Sequence, residues 1–347
     1  MRQLTFVRPG LLEWWEVPEP TLQGPQEAIV RPVAVARCDL DTYILSGKVP
    51  VAGPFPLGHE FVAEIVALGD GVTGFHPGQR VVVPYHISCG RCERCRRGLT
   101  ASCLSAPPRA MYGLGALGGE WGGALSDLVR VPFAEGMLVP VPDGLEPDTI
   151  ASVGDNVSDG WRTVAPYLEQ WPGAAVLVVG GRAPSIGVYA AAIACALGAS
   201  RVDYVDTDAA RLALARSVGA SPIEGPPPDR LGPYPITVDA SADRAGLACA
   251  LSSVEPGGVC TSVGIYFAKR TPVPLLDMYD SDVTFKTGWP NVRAFIPKVL
   301  DLVRGGKLRP ERITTRLAAW DDAAEALGDP STKVVISRSP GAAGEAV

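Results

Sequence analysis

Four of the eight cysteines stand together in CGRCERCRRGLTASC at 89–103, spaced Cys89-x2-Cys92-x2-Cys95-x7-Cys103. Four thiolates this close suit tetrahedral Zn2+, which takes sulfur readily and fills all four positions in structural sites. A complete sulfur shell leaves no place for water or substrate, so such a site clamps a loop and the chemistry belongs elsewhere. Disulfides would need an oxidising compartment, and the N-terminal MRQLTFVRPG lacks the apolar core of a signal peptide. A redox CxxC does not account for four sulfurs at these steps. A zinc ribbon for nucleic acid fits the neighbouring Arg91, Arg94, Arg96 and Arg97, but ribbons space their two knuckles more widely. A net charge of -6 and a pI of about 5.2 also oppose a phosphate backbone. The arginines are expected in solvent, softening the thiolate charge.

A second candidate pair is Cys38 and His59, with 20 residues between them. His59 sits in LGHEFVAEI, directly before a strand-like run, and is one of only three histidines in the chain. A lone histidine is more often structural than a ligand, and a lone buried cysteine is usually inert packing. The turn GGRAPSIG at 180–187 is a third candidate. It follows the strand-like AAVLVVGG and opens an apolar helix, where backbone amides hold a pyrophosphate. The regular G-x-G-x-x-G spacing is not met: Gly181 to Gly187 is one residue too long, and Ala183 stands near the middle glycine's place. Asp206 ends the next strand, 19 residues after Gly187, where an acid takes the adenosine ribose hydroxyls. Any α/β fold carries glycines and an aspartate at strand ends; the combined placement is what points to a nucleotide.

The elements that must position these groups follow from pattern. A chain of 347 residues is expected to form two domains, and 47% hydrophobic residues supply ordinary cores. No apolar run is long enough to cross a bilayer, and Ile186 to Leu197 reads as a buried helix. No repeats appear. The proline-rich stretch at 222–235 forbids a helix. In the first 150 residues, EAIVRPVAVA, FVAEIVALG, QRVVVPY and LSDLVRVP predict short strands, punctuated by GDGVTGFHPGQ. From Gly173 strands and helices alternate: AAVLVVGG, SIGVYAAAIACALGA, RVDYVD, DAARLALARSVGA, PITVDAS and GGVCTSVGI. That alternation predicts a parallel doubly wound sheet, so the class is α/β, with a β-rich half followed by a Rossmann-type half.

LGHEFVAEIVALGDGVTGFHPGQRVVV, the four-cysteine lobe and the later strand–glycine turn–helix run in one order. In this the chain closely resembles the zinc-dependent medium-chain alcohol dehydrogenases, over nearly its whole length. The resemblance implies a GroES-like catalytic domain at 1–156 carrying the zinc lobe, a Rossmann domain at 157–287, and a segment at 288–347 returning to the catalytic domain. It implies two zinc ions per chain. Cys89, Cys92, Cys95 and Cys103 match the structural site. Cys38 in RCDLD, His59, and Asp155 in VGDNVSDGW match the catalytic ligands, leaving one position open. Glu60 matches a glutamate near the metal, and Asp41 an aspartate that orients the histidine ligand. Gly180, Gly181, Gly187 and Asp206 match the NAD site, and Arg211 a basic residue beside the adenosine ribose. Zinc lowers the pKa of bound water from about 15.7 to about 7, and a bound alcohol is expected to respond similarly as hydride passes to the nicotinamide.

The implied activity is hydride transfer between an alcohol, or its aldehyde or ketone, and NAD, with NADP the lesser candidate. The alternative is a divergent reductase of the same fold acting on another double bond. A small-molecule substrate, a homodimer or homotetramer, a cytoplasmic location, and no nucleic-acid or membrane partner complete the expectation. The substrate pocket is left to loops such as MYGLGALGGEWGG at 111–123, where Trp121 lines a site or packs. Two positions depart from the family's proton relay: Leu40 stands where a Ser or Thr is usual, and Tyr43 where a His often finishes the relay. A phenol with a pKa of about 10 is a reluctant base at neutral pH. Asp159 stands where Thr is common. It reads either as a solvated helix residue, with water as the shuttle, or as a residue of the replacement relay, for which Asp39 beside the metal ligand is the other candidate.

Overall fold

The β-branched runs of the first half pair side by side. In the computed structural model, which describes residues 1–338, Ala28–Ala36 pairs antiparallel with Glu60–Leu68, which pairs in turn with Arg80–Val83. Val81, Val82 and Val83 are all buried, so this sheet is covered on both faces where the site lies. Burying each valine side chain stabilises the fold by roughly 2 kcal/mol. Pro32 is tolerated inside its strand because the register shifts between Pro32 and Ala34, a bulge where no ladder donor is needed. On the far side of Ala28–Ala36 lies Val334–Ser337, antiparallel and more than 290 residues distant in sequence, itself paired with Arg316–Ala319.

The register brings four strand ends to one edge of the sheet. Val335 and Glu60 are both partners of Ala36, and Phe61 faces Val83. Whatever follows Ala36, precedes Phe61, follows Val83 or precedes Val334 is therefore gathered in one place.

The second half forms a six-stranded sheet in the order Ser221–Glu224, Val202–Asp206, Val176–Val179, Tyr234–Asp239, Val254–Ser262 and Thr284–Lys286, every pair parallel. The first strand in sequence lies in the middle, so the chain reverses direction across the sheet there, the point at which such folds bind ligands. The helix Pro184–Ala196 follows this strand and is buried from Ser185 to Ala194, which is why it is apolar all round. No helix forms in the proline-rich 222–235; its start pairs instead as the edge strand Ser221–Glu224, where Pro222 is tolerated.

The chain divides into two units. One holds Met1–Ser158, Asn291–Arg304 and the segment from Thr314 on; the other holds Asp159–Pro290 and Gly305–Ile313. Among the described residues, no helix is long and apolar enough to cross a membrane.

Candidate active site

Cys38 lies two residues beyond the strand Ala28–Ala36, and His59 directly precedes its partner Glu60–Leu68. Asp155 comes from the turn Ala151–Gly154 and leads into the helix Asn156–Gln170. One ligand atom from each of Cys38, His59, Glu60 and Asp155 lies within 4.8 Å of every other, and all four residues are buried. His59 Nε2 is 3.5 Å from Asp155 Oδ2.

Burial and mutual charge set the proton affinities of this cluster. Desolvation, followed by the charges of Asp155 and Glu60, pushes the Cys38 thiol well up. Desolvation alone would lower the His59 imidazole, but Asp41, Asp155 and Glu60 together raise it to about 9. Glu60 rises to about 8, with burial outweighing the pull of Lys333. Burial would raise Asp155 too, yet its hydrogen bond and charge interaction with His59 hold it below its ordinary value. A thiol, an imidazole and a carboxylate, dry and convergent, form a donor set that fits zinc. His59 Nδ1 lies 3.8 Å from Asp41 Oδ1, and neither atom has a hydrogen-bond partner among the described residues. The other oxygen of Asp41 accepts from the Cys38 backbone N–H at 3.0 Å, holding the first turn of Asp39–Leu45 against the site.

Glu60 is near enough to be a fourth ligand, but its carboxylate is engaged. Lys333 Nζ donates to both oxygens, at 3.0 and 2.8 Å, and both side chains are 0% exposed. Lys333 also donates to the Arg37 carbonyl at 2.8 Å and to Asn156 Oδ1 at 2.7 Å. The Asn156 amide nitrogen donates onward to Cys38 Sγ at 3.4 Å and to Asp155 Oδ2 at 3.1 Å. Arg37, buried beside them, donates to the carbonyls of Leu327, Asp329 and Ser331 and so fixes the loop that delivers Lys333. Sequence reasoning missed Lys333, Asn156 and Arg37. The available signals were a lysine directly before the apolar VVI and an amide beside the candidate ligand Asp155.

The four cysteines of the lobe also converge within 4.8 Å. Backbone N–H groups of Cys89, Cys92, Leu104 and Ser105 donate to their sulfurs at 3.3, 3.3, 3.4 and 3.3 Å. Such donors favour thiolates, and that of Leu104 is the leading cause of a Cys92 thiol lowered to about 6. All eight cysteines are free, and Arg91, Arg94, Arg96 and Arg97 are exposed, as the charge argument required.

In the turn at 180–187, Gly181 has φ 152°, and a side chain there would strike the Ser241 backbone. At Gly180 a Cβ would stand 2.4 Å from Asp206 Oδ2, so glycine is what lets this strand end approach that carboxylate. Gly187 lies in the helix, against Ala240. Asp206 is buried and accepts from the Tyr204 hydroxyl, the Asp208 N–H and the Arg211 guanidinium.

Residues 24–143 match the alcohol dehydrogenase GroES-like domain. A probable zinc-binding alcohol dehydrogenase of Mycobacterium tuberculosis is 31% identical over 315 residues, covering 89% of this chain and 79% of that protein. The solved alcohol dehydrogenase of Thermus sp. ATN1 is 33% identical with a TM-score of 0.86, covering 97% of this chain and 99% of the other. The acetophenone reductase of Geotrichum candidum, solved in complex with NAD, is 25% identical with a TM-score of 0.81, covering 97% of each chain. The chain belongs to the zinc-dependent medium-chain alcohol dehydrogenases.

The positions expected to carry a proton relay lie against the protein's own core. Leu40 and Tyr43 are partly buried against the core of the first unit, and Lys48 lies over the Tyr43 ring at 5.8 Å. Trp121 also packs on that core, with Arg130 over its ring at 5.8 Å. Asp159 is not solvated: it is buried and ion-paired with Arg162, which also donates to the Gly288 carbonyl at 3.2 Å. The pair offsets the cost of burying its charge. Asp39 is buried at the start of its helix.

Proposed function

We propose that this alcohol dehydrogenase transfers hydride between an alcohol, or the corresponding aldehyde or ketone, and NAD, with one catalytic and one structural zinc per chain. The observation that carries the reading is the convergence of Cys38, His59 and Asp155 while Lys333 holds the nearby Glu60 carboxylate by both oxygens. Three protein ligands leave a position for substrate, and bound zinc would supply Lewis acidity at the substrate oxygen. Asp41 braces the Cys38 turn, and Asn156 orients the ligand atoms of Cys38 and Asp155. The four-cysteine lobe, with no room for a fifth partner, holds structure only.

The turn at Gly180 and Gly181 and the amides opening the helix Pro184–Ala196 would take the pyrophosphate of NAD, with Asp206 at the ribose. The NAD complex of the related acetophenone reductase supports this assignment. Leu40 cannot carry a proton, so water replaces the family's hydroxyl as the first relay group.

The likeness to enzymes that commonly assemble, together with an exposed apolar surface at the sheet edge, supports a homo-oligomer. Leu276 is 72% and Tyr279 83% exposed on the helix Leu275–Asp280, beside the edge strand Thr284–Lys286. The deciding experiment is a rate survey of zinc-loaded protein with NAD and a panel of primary and secondary alcohols, followed in reverse with aldehydes and ketones. Turnover of at least one pair is expected. Its absence, with reduction of a conjugated carbon–carbon double bond instead, would replace this reading with the divergent reductase.

A further inference from the structure

Asn156 stands where the Glu60–Lys333 pair meets the Cys38–His59–Asp155 cluster. It is 1% exposed, accepts from Lys333 Nζ at 2.7 Å, and donates to Cys38 Sγ at 3.4 Å and Asp155 Oδ2 at 3.1 Å. An ammonium has three donors and no acceptor. The amide oxygen must therefore face Lys333, and the NH2 group must face the sulfur and the carboxylate. Turned over, the amide would set N–H groups against an ammonium and an oxygen against a carboxylate, all without water. Lys333 cannot swing aside to permit this, because Glu60 and the Arg37 carbonyl fix it.

We infer that Asn156 is a positioning residue for the metal ligands, locked in one orientation by Lys333, whose N–H donors draw charge from the Cys38 sulfur and the Asp155 carboxylate. The inference rests on the reading of Cys38, His59 and Asp155 as a metal site. A thiolate that shares its charge with an N–H donor gives less to a cation, which keeps that cation a stronger acceptor toward substrate oxygen. The oxygen of Asp155 held in this way is also the one facing His59 Nε2 at 3.5 Å, so the donor fixes how that carboxylate meets the cluster. Groups that orient ligands in this way commonly alter metal affinity 10- to 100-fold when removed. A merely structural Asn156, filling the start of a helix, would leave the electronic state of the sulfur untouched.

The test uses the full-length protein with Co2+ in place of zinc. Cobalt bound by thiolate absorbs through sulfur-to-metal charge transfer, and subtracting the Cys38→Ser spectrum isolates the band due to Cys38 from that of the four-cysteine lobe. Asn156→Ala is expected to move this band to longer wavelength, because loss of the N–H donor raises the energy of the sulfur electrons. It should also weaken cobalt binding about tenfold or more in competition with a chelator. Asn156→Asp preserves size and an acceptor for Lys333 while removing the donor. It should move the band in the same direction, and it carries the test should the alanine variant not fold. An unchanged band in either folded variant would overturn the inference while leaving the metal site standing. A parent protein without a Cys38-dependent band would overturn both.

Discussion

Arg211 closes a two-point fork on Asp206, with Nε 2.7 Å from Oδ2 and Nη2 2.6 Å from Oδ1. The acid expected to select NAD is thus accompanied by a cation that offsets its repulsion of a 2′-phosphate. The parent is predicted to prefer NAD, but by less than an unaccompanied aspartate would give. Arg211→Ala should widen the NAD to NADP ratio of kcat/KM about tenfold, a shift of about 1.4 kcal/mol. Asp206→Ala should narrow it. Ratios unmoved by either variant would remove both residues from cofactor choice.

Metal analysis separates the two centres. The parent should hold two zinc ions per chain. Asp155→Ala should keep the fold, retain the lobe's zinc and lose turnover. Cys92→Ser should lose the lobe's ion and with it folding free energy, lowering the unfolding temperature by roughly 10 °C. Equal losses of zinc and stability in both variants would contradict separate roles.

Lys333→Met should be among the most destabilising single changes in the chain. Above about pH 8, where Glu60 is ionised, it leaves that carboxylate buried without its cation, a loss of about 3–5 kcal/mol. Adding Glu60→Gln should recover part of that loss, since the uncompensated charge goes with it. Denaturant unfolding of the two single variants and the double variant measures the coupling, and simple additivity would deny the pair.

Asp159→Asn addresses the relay. The ion pair with Arg162 accounts for the buried carboxylate without a proton-carrying role, so the expected result is lower stability and a rate loss uniform in pH. A loss confined to low and neutral pH, recovered by an added buffer base, would instead make Asp159 a base acting through water.

Local signals in the sequence were readable because each lies within a few residues. The cysteine spacing is confined to one loop, and the Rossmann half announces itself through strand, glycine turn and helix in direct succession. Cys38 and His59 were individually unremarkable and gained meaning only through the family resemblance. Lys333 was not legible. Its partner Glu60 lies 273 residues away, and only the pairing of Val334–Ser337 with Ala28–Ala36 joins them. A lysine before an apolar strand looks like a solvated flank until that register is known. The burial of Asp159 was hidden for a similar reason: its helix is amphipathic, and the sequence does not say which face Arg162 and Gly288 would close.

The strand Val334–Ser337 also imposes an order on synthesis. Every strand of the parallel sheet precedes Lys333 in the chain, so that sheet is translated before the lysine exists. Glu60 must wait, translated early and charged, with the cation that permits its burial still unwritten. The Cys38, His59, Glu60 and Asp155 cluster is therefore among the last parts of its unit to close. A chain translated only as far as residue 332 would hold every strand of the parallel sheet but lack the lysine that permits the burial of Glu60.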